Sequence, residues 1–182
     1  MDIVLSWDLV IILFFTIIIA YSFIIGRDST IKNIIAAYIA LLTADGLGNL
    51  AEQYLGGDNP ILILLAGPDA DMMLTMAKII FFIIVTVIIA VKGGFSVSIL
   101  NGQSPSTNLL ITLLLGTLNA GLIVSTLLLY VSGLSLIGSD QIGAQALTTN
   151  STLVQLMVQN YNLWFSLPAI MFVGLSFVEG SD

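Results

Sequence analysis

The fold is decided by residues 9–26, which read LVIILFFTIIIAYSFIIG and carry no charge. About 20 apolar residues cross the hydrocarbon core of a bilayer as an α-helix, so this stretch is nearly long enough by itself. Trp7 and Asp8 precede it and Arg27 follows it, which puts an interfacial ring and charges at its two ends. It lacks a basic n-region and a small-residue cleavage site, so we interpret it as a retained transmembrane helix and not as a signal peptide.

Three more segments have the length and apolarity of transmembrane helices. Residues 108–131 contain no charge, and residues 72–91 are most apolar toward their end, just before Lys92 and two glycines. Residues 31–50 are weaker, because Asp45 and several small polar residues interrupt their far end. The sequence therefore predicts four spans, at about 8–26, 31–50, 72–91 and 108–131.

The other stretches are predicted as connections, with one exception near the C-terminus. Residues 27–32 are short enough for a tight turn between antiparallel helices. Residues 51–71 are rich in Gly, Pro and Asp, and their apolar run at 61–66 is too short to span. Residues 153–178 contain Pro168 and are predicted either as a fifth span or as a helix in the membrane interface.

The composition is that of a membrane protein. Of the 182 residues, 58% are hydrophobic and 8% are charged, whereas about a quarter of the residues in a soluble domain are charged. Lipid must therefore cover much of the surface. The expected fold class is all-α, a polytopic transmembrane helical bundle that forms a single domain over residues 1–182.

The residue types that the sequence lacks exclude several classes of chemistry. The sequence has no Cys and no His, which removes the usual zinc ligands and the most common general base. The formal net charge of -7 opposes binding to a nucleic acid backbone. We therefore expect a protein that is not an enzyme and has no cofactor or metal. Its expected partners are the lipid bilayer and other membrane helices, including further copies of itself.

The basic residues predict the orientation. Lys and Arg are enriched in cytoplasmic loops. Arg27, Lys32 and Lys92 would share one side of the membrane, while Lys78 lies toward the other. This distribution favours an N-terminus outside the cell. Because no Lys or Arg follows Lys92, it does not choose a side for the C-terminus.

Asp45 and Lys78 are the candidate functional residues inside the predicted spans. At about 1.5 Å per helical residue, Asp45 lies about 8–10 Å and Lys78 about 9 Å from the outer end of its span, so a pair is geometrically reasonable. An ionisable residue in the membrane is costly unless it is paired or hydrated, which makes it a functional-site hypothesis. The structural alternative is that Lys78 reaches back to the interface and that Asp45 sits at a frayed, Gly-rich helix end.

An intramembrane aspartyl protease would need a second carboxylate facing Asp45, so that the two share a proton. Asp8 and Asp71 are the nearest candidates, but both lie at predicted helix ends. We therefore expect no such dyad and assign no catalytic residue.

The middle of the fourth span combines small residues with one amide. Gly116 with Ala120, and Thr117 with Gly121, are small residues spaced by four, a pattern that lets helices approach closely. Asn119 at mid-span needs a hydrogen-bond partner, either across a helix interface or along a polar path. We favour helix packing for this segment and keep the polar path as the alternative.

The chain resembles the colicin V production protein family, the CvpA-like small membrane proteins of bacteria. The resemblance rests mainly on residues 6–11, SWDLVI, and residues 20–27, AYSFIIGR, which look like the family's Trp-Asp opening and its exit through Gly and a basic residue. Residues 113–121 and 151–168 are similar to its fourth helix and its downstream Leu-Pro helix. Residues 28–30, DST, depart from the family's basic cluster.

The resemblance implies a bacterial inner-membrane protein that takes part in toxin production or secretion and in envelope homeostasis, without established catalytic residues. This is the leading functional hypothesis, and we expect an oligomer. One alternative is an ion or small-solute channel or carrier subunit in which Asp45, Lys78 and Asn119 line a polar path. The other is a structural subunit of a larger membrane complex.

Overall fold

The computed structural model describes residues 6–55, 70–94, 105–132 and 151–179. Within these residues the chain forms helices and no strand, which confirms the predicted all-α fold class. The described helices are α1 (Trp7–Ile25), α2 (Arg27–Leu55), α3 (Ala70–Lys92), α4 (Pro105–Val131), α5 (Thr152–Gln159) and α6 (Tyr161–Glu179). Most of the predicted connections, including the apolar run at 61–66, lie outside the described residues.

Four helices in the described part of the chain, α1 to α4, are long and apolar enough to cross a membrane, as expected of a multi-pass membrane protein. The segment predicted at 153–178 forms two helices, α5 and α6, which are separated at Asn160. Its apolar part, Tyr161–Leu175, is shorter than each of the four candidate spans.

α1 and α2 are joined by a single residue. Gly26 has a φ of 81°, in the left-handed region that favours glycine, and the chain changes direction there before α2 begins at Arg27. The Thr30 hydroxyl donates a hydrogen bond to the Gly26 carbonyl at 2.8 Å and supports this junction. Residues 27–32, predicted as a turn, are therefore helical, because one glycine is enough to redirect the chain.

α2 and α3 form the most extensive helix contact in the bundle. Along α2, small residues recur every four positions and are all buried: Ala36, Ala40, Ala44 and Gly48. Small side chains let neighbouring backbones approach, and close van der Waals packing is a main source of helix association in lipid. This row of small residues makes α2 an interior helix despite its polar far end.

α4 is the central helix and packs against α1, α2 and α6. At its start, the Arg27 guanidinium of α2 donates to the Asn108 side-chain oxygen at 3.2 Å. Near its end, the Tyr130 hydroxyl donates to the Leu41 carbonyl of α2, also at 3.2 Å. Going from the first pair to the second, the residue number rises in both helices, so α2 and α4 run in the same direction.

α5 is held at the N-terminal end of α1. The Ser151 hydroxyl donates to the Asp8 carboxylate, and the Leu153 N–H donates to the same carboxylate oxygen at 3.1 Å. An acidic side chain at a helix N-terminus accepts otherwise free N–H groups and interacts favourably with the helix dipole. The start of α5 therefore lies at the Trp7 end of α1.

α6 lies against the middle of α4. A Cβ atom added to Gly121 would fall 2.0 Å from the Trp164 ring, so only glycine leaves room for this aromatic side chain. Pro168 lies within α6 and disrupts the hydrogen bonds of the preceding turn. In that turn, the Phe165 carbonyl accepts a hydrogen bond from the Tyr38 hydroxyl of α2. α2 and α4 thus both hold α6.

Candidate functional site

Three helices bring a group of polar side chains together in the interior. We call Asp45 and Asn49 of α2, Lys78 of α3 and Tyr130 of α4 the polar cluster. Asp45 and Asn49 are one helical turn apart, so they lie on the same side of α2. Phe82, one turn after Lys78 on α3, packs edge-to-face on Tyr130 with ring centroids 6.3 Å apart. This contact places all four cluster residues in one region of the bundle.

Lys78 is 9% exposed and ends on another helix. Its ammonium group donates a hydrogen bond to the Asn49 side-chain oxygen at 3.2 Å. To reach it, the lysine side chain crosses Gly48, where an added Cβ atom would lie 2.2 Å from the lysine Cε atom. The absence of a side chain at Gly48 therefore creates the passage for Lys78. Its ammonium group is therefore engaged by α2.

Asp45 is completely buried, with 0% exposure, and it is not at a frayed end. Its side chain lies beside the Tyr130 hydroxyl of α4. Tyr130 is itself 1% exposed, and its hydroxyl also lies 3.2 Å from the Leu41 carbonyl, one turn before Asp45. The carboxylate is therefore enclosed between α2 and the end of α4.

Asp45 lies deeper along its helix than predicted. α2 continues to Leu55 and not to residue 50, which leaves ten residues, or about 15 Å, beyond Asp45. Tyr130 contacts both Asp45 and Phe82, and Phe82 is near the middle of α3. The buried carboxylate therefore lies level with the middle of α3 and with the end of α4.

One observed hydrogen bond bears on the predicted pairing of Asp45 with Lys78. Lys78 is bonded to Asn49, the residue one turn beyond Asp45, so the two ionisable residues belong to one cluster. A direct ion pair between their charged groups stays a prediction, tested below by mutagenesis.

Asn119 is 1% exposed, and its side-chain oxygen has no hydrogen-bond partner in the described part of the protein. The hydroxyls of Thr86 and Ser125 are also buried without a partner there. By helical periodicity, Asn119 lies on the same side of α4 as Tyr130, eleven residues earlier. A buried amide oxygen of this kind is normally satisfied by water or a polar partner.

The small residues predicted with Asn119 lie in helix contacts. A Cβ atom added to Gly116 would be 3.0 Å from the Ser22 Cβ atom of α1, and Gly121 faces Trp164. Ala120 is completely buried. These three positions therefore serve packing in the structure, whereas Asn119 brings a polar atom into the same interior.

Sequence reasoning missed Asn49, Gly48 and Tyr130. A signal existed for the first two, because Asn49 follows Asp45 at a spacing of four and Gly48 belongs to the row of small residues on α2. Tyr130 had no local signal, since a tyrosine at the end of a transmembrane helix normally indicates the membrane interface.

Asp8 does not join Asp45. It is hydrogen-bonded to Ser151 and to the start of α5 at the end of α1. No group of three or more acidic residues that could hold a metal ion occurs among the residues that the structure describes. The arrangement therefore places a buried carboxyl group beside the Tyr130 hydroxyl, in the same cluster as the Lys78 ammonium group.

These features define a multi-pass α-helical membrane protein with ionisable residues buried between its helices. Comparisons with protein-family models, curated proteins and solved structures found no match. The CvpA-like resemblance therefore rests on the quoted residues alone.

Proposed function

We propose that this protein is a non-enzymatic channel or carrier subunit that moves an ion across the membrane, with the polar cluster as its ion-handling site. The observation that carries the proposal is the burial of both Asp45 and Lys78 between three apolar helices. Ionisable residues inside transmembrane bundles are rare and commonly mark ion pathways or proton relays.

Stability alone is a poor reason for these two residues. Removing a charged group from water costs several kcal/mol, and a buried ion pair often contributes no more than well-packed apolar residues would. Lys78 also occupies the space that a side chain at Gly48 would fill. Apolar residues of similar volume often serve packing as well as a buried ion pair does, so a role that requires charge explains the cluster better.

Asn119 supports a path that extends beyond the cluster. Its unpartnered oxygen is buried on the Tyr130 side of α4. Since a buried amide oxygen is usually satisfied by water, this site offers a second polar position between the helices.

The test is an ion-flux assay with purified protein in liposomes that contain a pH-sensitive dye. We expect the wild-type protein to collapse an imposed pH gradient faster than empty liposomes, and Asp45→Asn to lose most of this flux. Asp28→Asn is the matched control, since Asp28 is exposed at the other end of α2 and should keep the flux. Equal rates for empty, wild-type and Asp45→Asn liposomes, with protons and with other small cations, would contradict the proposal.

The second candidate is a CvpA-like role in toxin production or secretion and envelope homeostasis in a bacterial inner membrane. Its support is the resemblance over residues 6–11 and 20–27. Gly26, which belongs to that resemblance, adopts a positive φ at the junction of α1 with Arg27. The positive φ explains why glycine is suited to this position, which the resemblance by itself did not explain.

Deletion of the gene in its host tests this second candidate. We expect reduced release of a peptide toxin and greater detergent sensitivity, both restored by the wild-type gene. Normal toxin release and normal detergent resistance in the deletion strain would argue against this role, and would leave the flux assay unaffected.

A further inference from the structure

An apolar groove runs between α1 and α4, at the end of the bundle where α1 begins and α4 ends. We call it the α1–α4 groove. Its lining residues on α1 are Trp7, Val10, Ile11 and Phe14. Those on α4 follow the same spacings of three, four and three residues, from Val124 to Val131. Residues at these spacings share one face of a helix, so the groove lies where two antiparallel helix faces do not close on each other.

The floor of the α1–α4 groove belongs to the core, and its rim is open. Ile11 and Leu128 are almost completely buried and pack with α5, whereas Trp7 and Phe14 are exposed at the rim. The volume of the groove is about 120 Å³. An apolar protein cavity of about 150 Å³ stays free of water and takes up benzene. The groove is therefore suited to an apolar group about as large as a short length of hydrocarbon chain.

The depth of the groove in the membrane indicates what fills it. α1 is a candidate span of which little is buried within the bundle, so lipid covers its outer face. Trp7 is the first residue of α1, and tryptophan favours the layer between headgroups and hydrocarbon, because its ring is apolar and its N–H is polar. From Trp7 to Phe14 the helix rises about 10 Å. The groove therefore lies beside the upper part of the phospholipid acyl chains.

The charge at the mouth of the groove indicates the headgroup. The helices around it, α1, α4 and α5, contain one charged residue, Asp8, which directly follows Trp7. In the described structure, the Ser151 hydroxyl and the Leu153 N–H both donate to Oδ1 of Asp8, and Oδ2 accepts neither bond. A carboxylate attracts an ammonium group and repels a headgroup with a net negative charge.

We propose that the α1–α4 groove binds a phospholipid with an ammonium headgroup. One acyl chain lies in the groove over Ile11 and Leu128, and the ammonium group pairs with Oδ2 of Asp8. The groove is on a different face of α4 from Tyr130, so this lipid site is separate from the polar cluster and does not depend on the proposed ion transport.

Native mass spectrometry of the full-length protein tests the acyl-chain site, because it counts the lipids that stay bound when the protein is released from detergent micelles. We expect the wild-type protein to retain added phosphatidylethanolamine and Val10→Trp, which fills the groove, to lose most of it. Leu13→Trp is the matched control, since Leu13 is exposed on α1 outside the groove, and it should retain the lipid. Val131→Trp fills the groove from α4 and should behave like Val10→Trp, which separates loss of the site from a folding defect in one variant.

The headgroup is tested by comparing phosphatidylethanolamine with phosphatidylglycerol of the same acyl chains. The wild-type protein should bind the ethanolamine lipid about threefold more tightly, the ratio expected for one exposed ion pair. Asp8→Asn keeps an oxygen that can accept from Ser151 and Leu153 but loses the charge, so this preference should disappear. Asp28→Asn, at an exposed position near the start of α2, should keep the preference.

Two results would overturn the proposal. Equal lipid retention by the wild-type protein, Val10→Trp and Val131→Trp would mean that the chain does not bind in the groove. Binding of phosphatidylglycerol that equals or exceeds that of phosphatidylethanolamine, or a preference that persists in Asp8→Asn, would mean that Asp8 does not select the headgroup.

Discussion

The α2–α3 pair and the α1–α4 pair are both made of helices apolar enough to cross a bilayer, yet different groups specify their contacts. Between α2 and α3, a lysine crosses a glycine and ends on the Asn49 amide. Between α1 and α4, Gly116 meets Ser22, whose hydroxyl donates to the Ile18 carbonyl of its own helix at 2.9 Å. At Gly116 and Ser22 the second contact therefore depends on shape.

The difference between these two helix pairs distinguishes the residues that helix packing needs from those that point to a function. Close approach of small residues is sufficient to hold helices together in lipid, as α1 and α4 do. The α2–α3 pair has such a row of small residues too, and it additionally encloses Asp45 and Lys78. The added charges are therefore the part of the bundle that packing does not require.

The largest expected effect follows from filling the lysine passage. Gly48→Leu should lower the free energy of unfolding by about 3 kcal/mol, because the new side chain and Lys78 cannot share the same space. Gly46→Leu is the matched control, since a Cβ atom at Gly46 has no atom within 4 Å. Denaturation in detergent, followed by circular dichroism, measures both. Equal losses in the two variants would mean that the passage has no energetic role.

The corresponding change at the α1–α4 contact should be smaller. Gly116→Ala should cost about 1 kcal/mol, because the methyl group crowds Ser22 by only a few tenths of an ångström, and the better helix propensity of alanine offsets part of the loss. Gly174→Ala places a methyl group in open space and should be neutral or stabilising. If Gly116→Ala were as harmful as Gly48→Leu, the two contacts would not differ in the way described.

A double-mutant cycle on Asp45→Leu and Lys78→Leu sharpens the comparison further. We expect Asp45→Leu to insert normally in the membrane and the two effects to be coupled by about 1 kcal/mol, since each change removes a charge that the other compensates. The readout is again denaturation in detergent. Additive losses would show that the two residues share a cluster without interacting.

The smallest expected effect concerns α6. Tyr38→Phe removes the hydrogen bond to the Phe165 carbonyl and should cost about 0.6 kcal/mol, the average for a hydrogen bond between transmembrane helices. With Trp7→Phe as background, Trp164 is the single tryptophan, and its emission reports whether α6 stays docked on α4. Tyr21→Phe, at an exposed position, is the control and should leave the emission unchanged.

The four transmembrane helices were predictable because an uncharged run of the right length is a local property of the chain. The end of α1 and the end of α3 differ from the prediction by one residue each. The start of α2 was missed because Arg27, Asp28 and Lys32 are charged, which suggests a connection, although charged residues are equally suited to a helix end at the membrane surface.

The polar cluster was predictable only in part. Asp45 and Lys78 stand out in any apolar segment, but their observed partners are Tyr130, 85 residues away from Asp45, and Asn49, 29 residues away from Lys78. Which side chains meet depends on the relative shift and rotation of three helices, and hydropathy carries little information on either.

The amino-acid sequence by itself determined that this is a membrane protein of several apolar helices, because transfer into lipid depends on each segment's own composition. For the same reason it identified Asp45, Lys78 and Asn119 as unusual residues within those helices. Tertiary structure decided that Gly48 opens a passage for Lys78, that Tyr130 reaches Asp45, and that the Asn119 oxygen is without a partner in the described bundle. These facts depend on side chains from separate helices meeting at distances of a few ångströms, which packing determines and local composition does not.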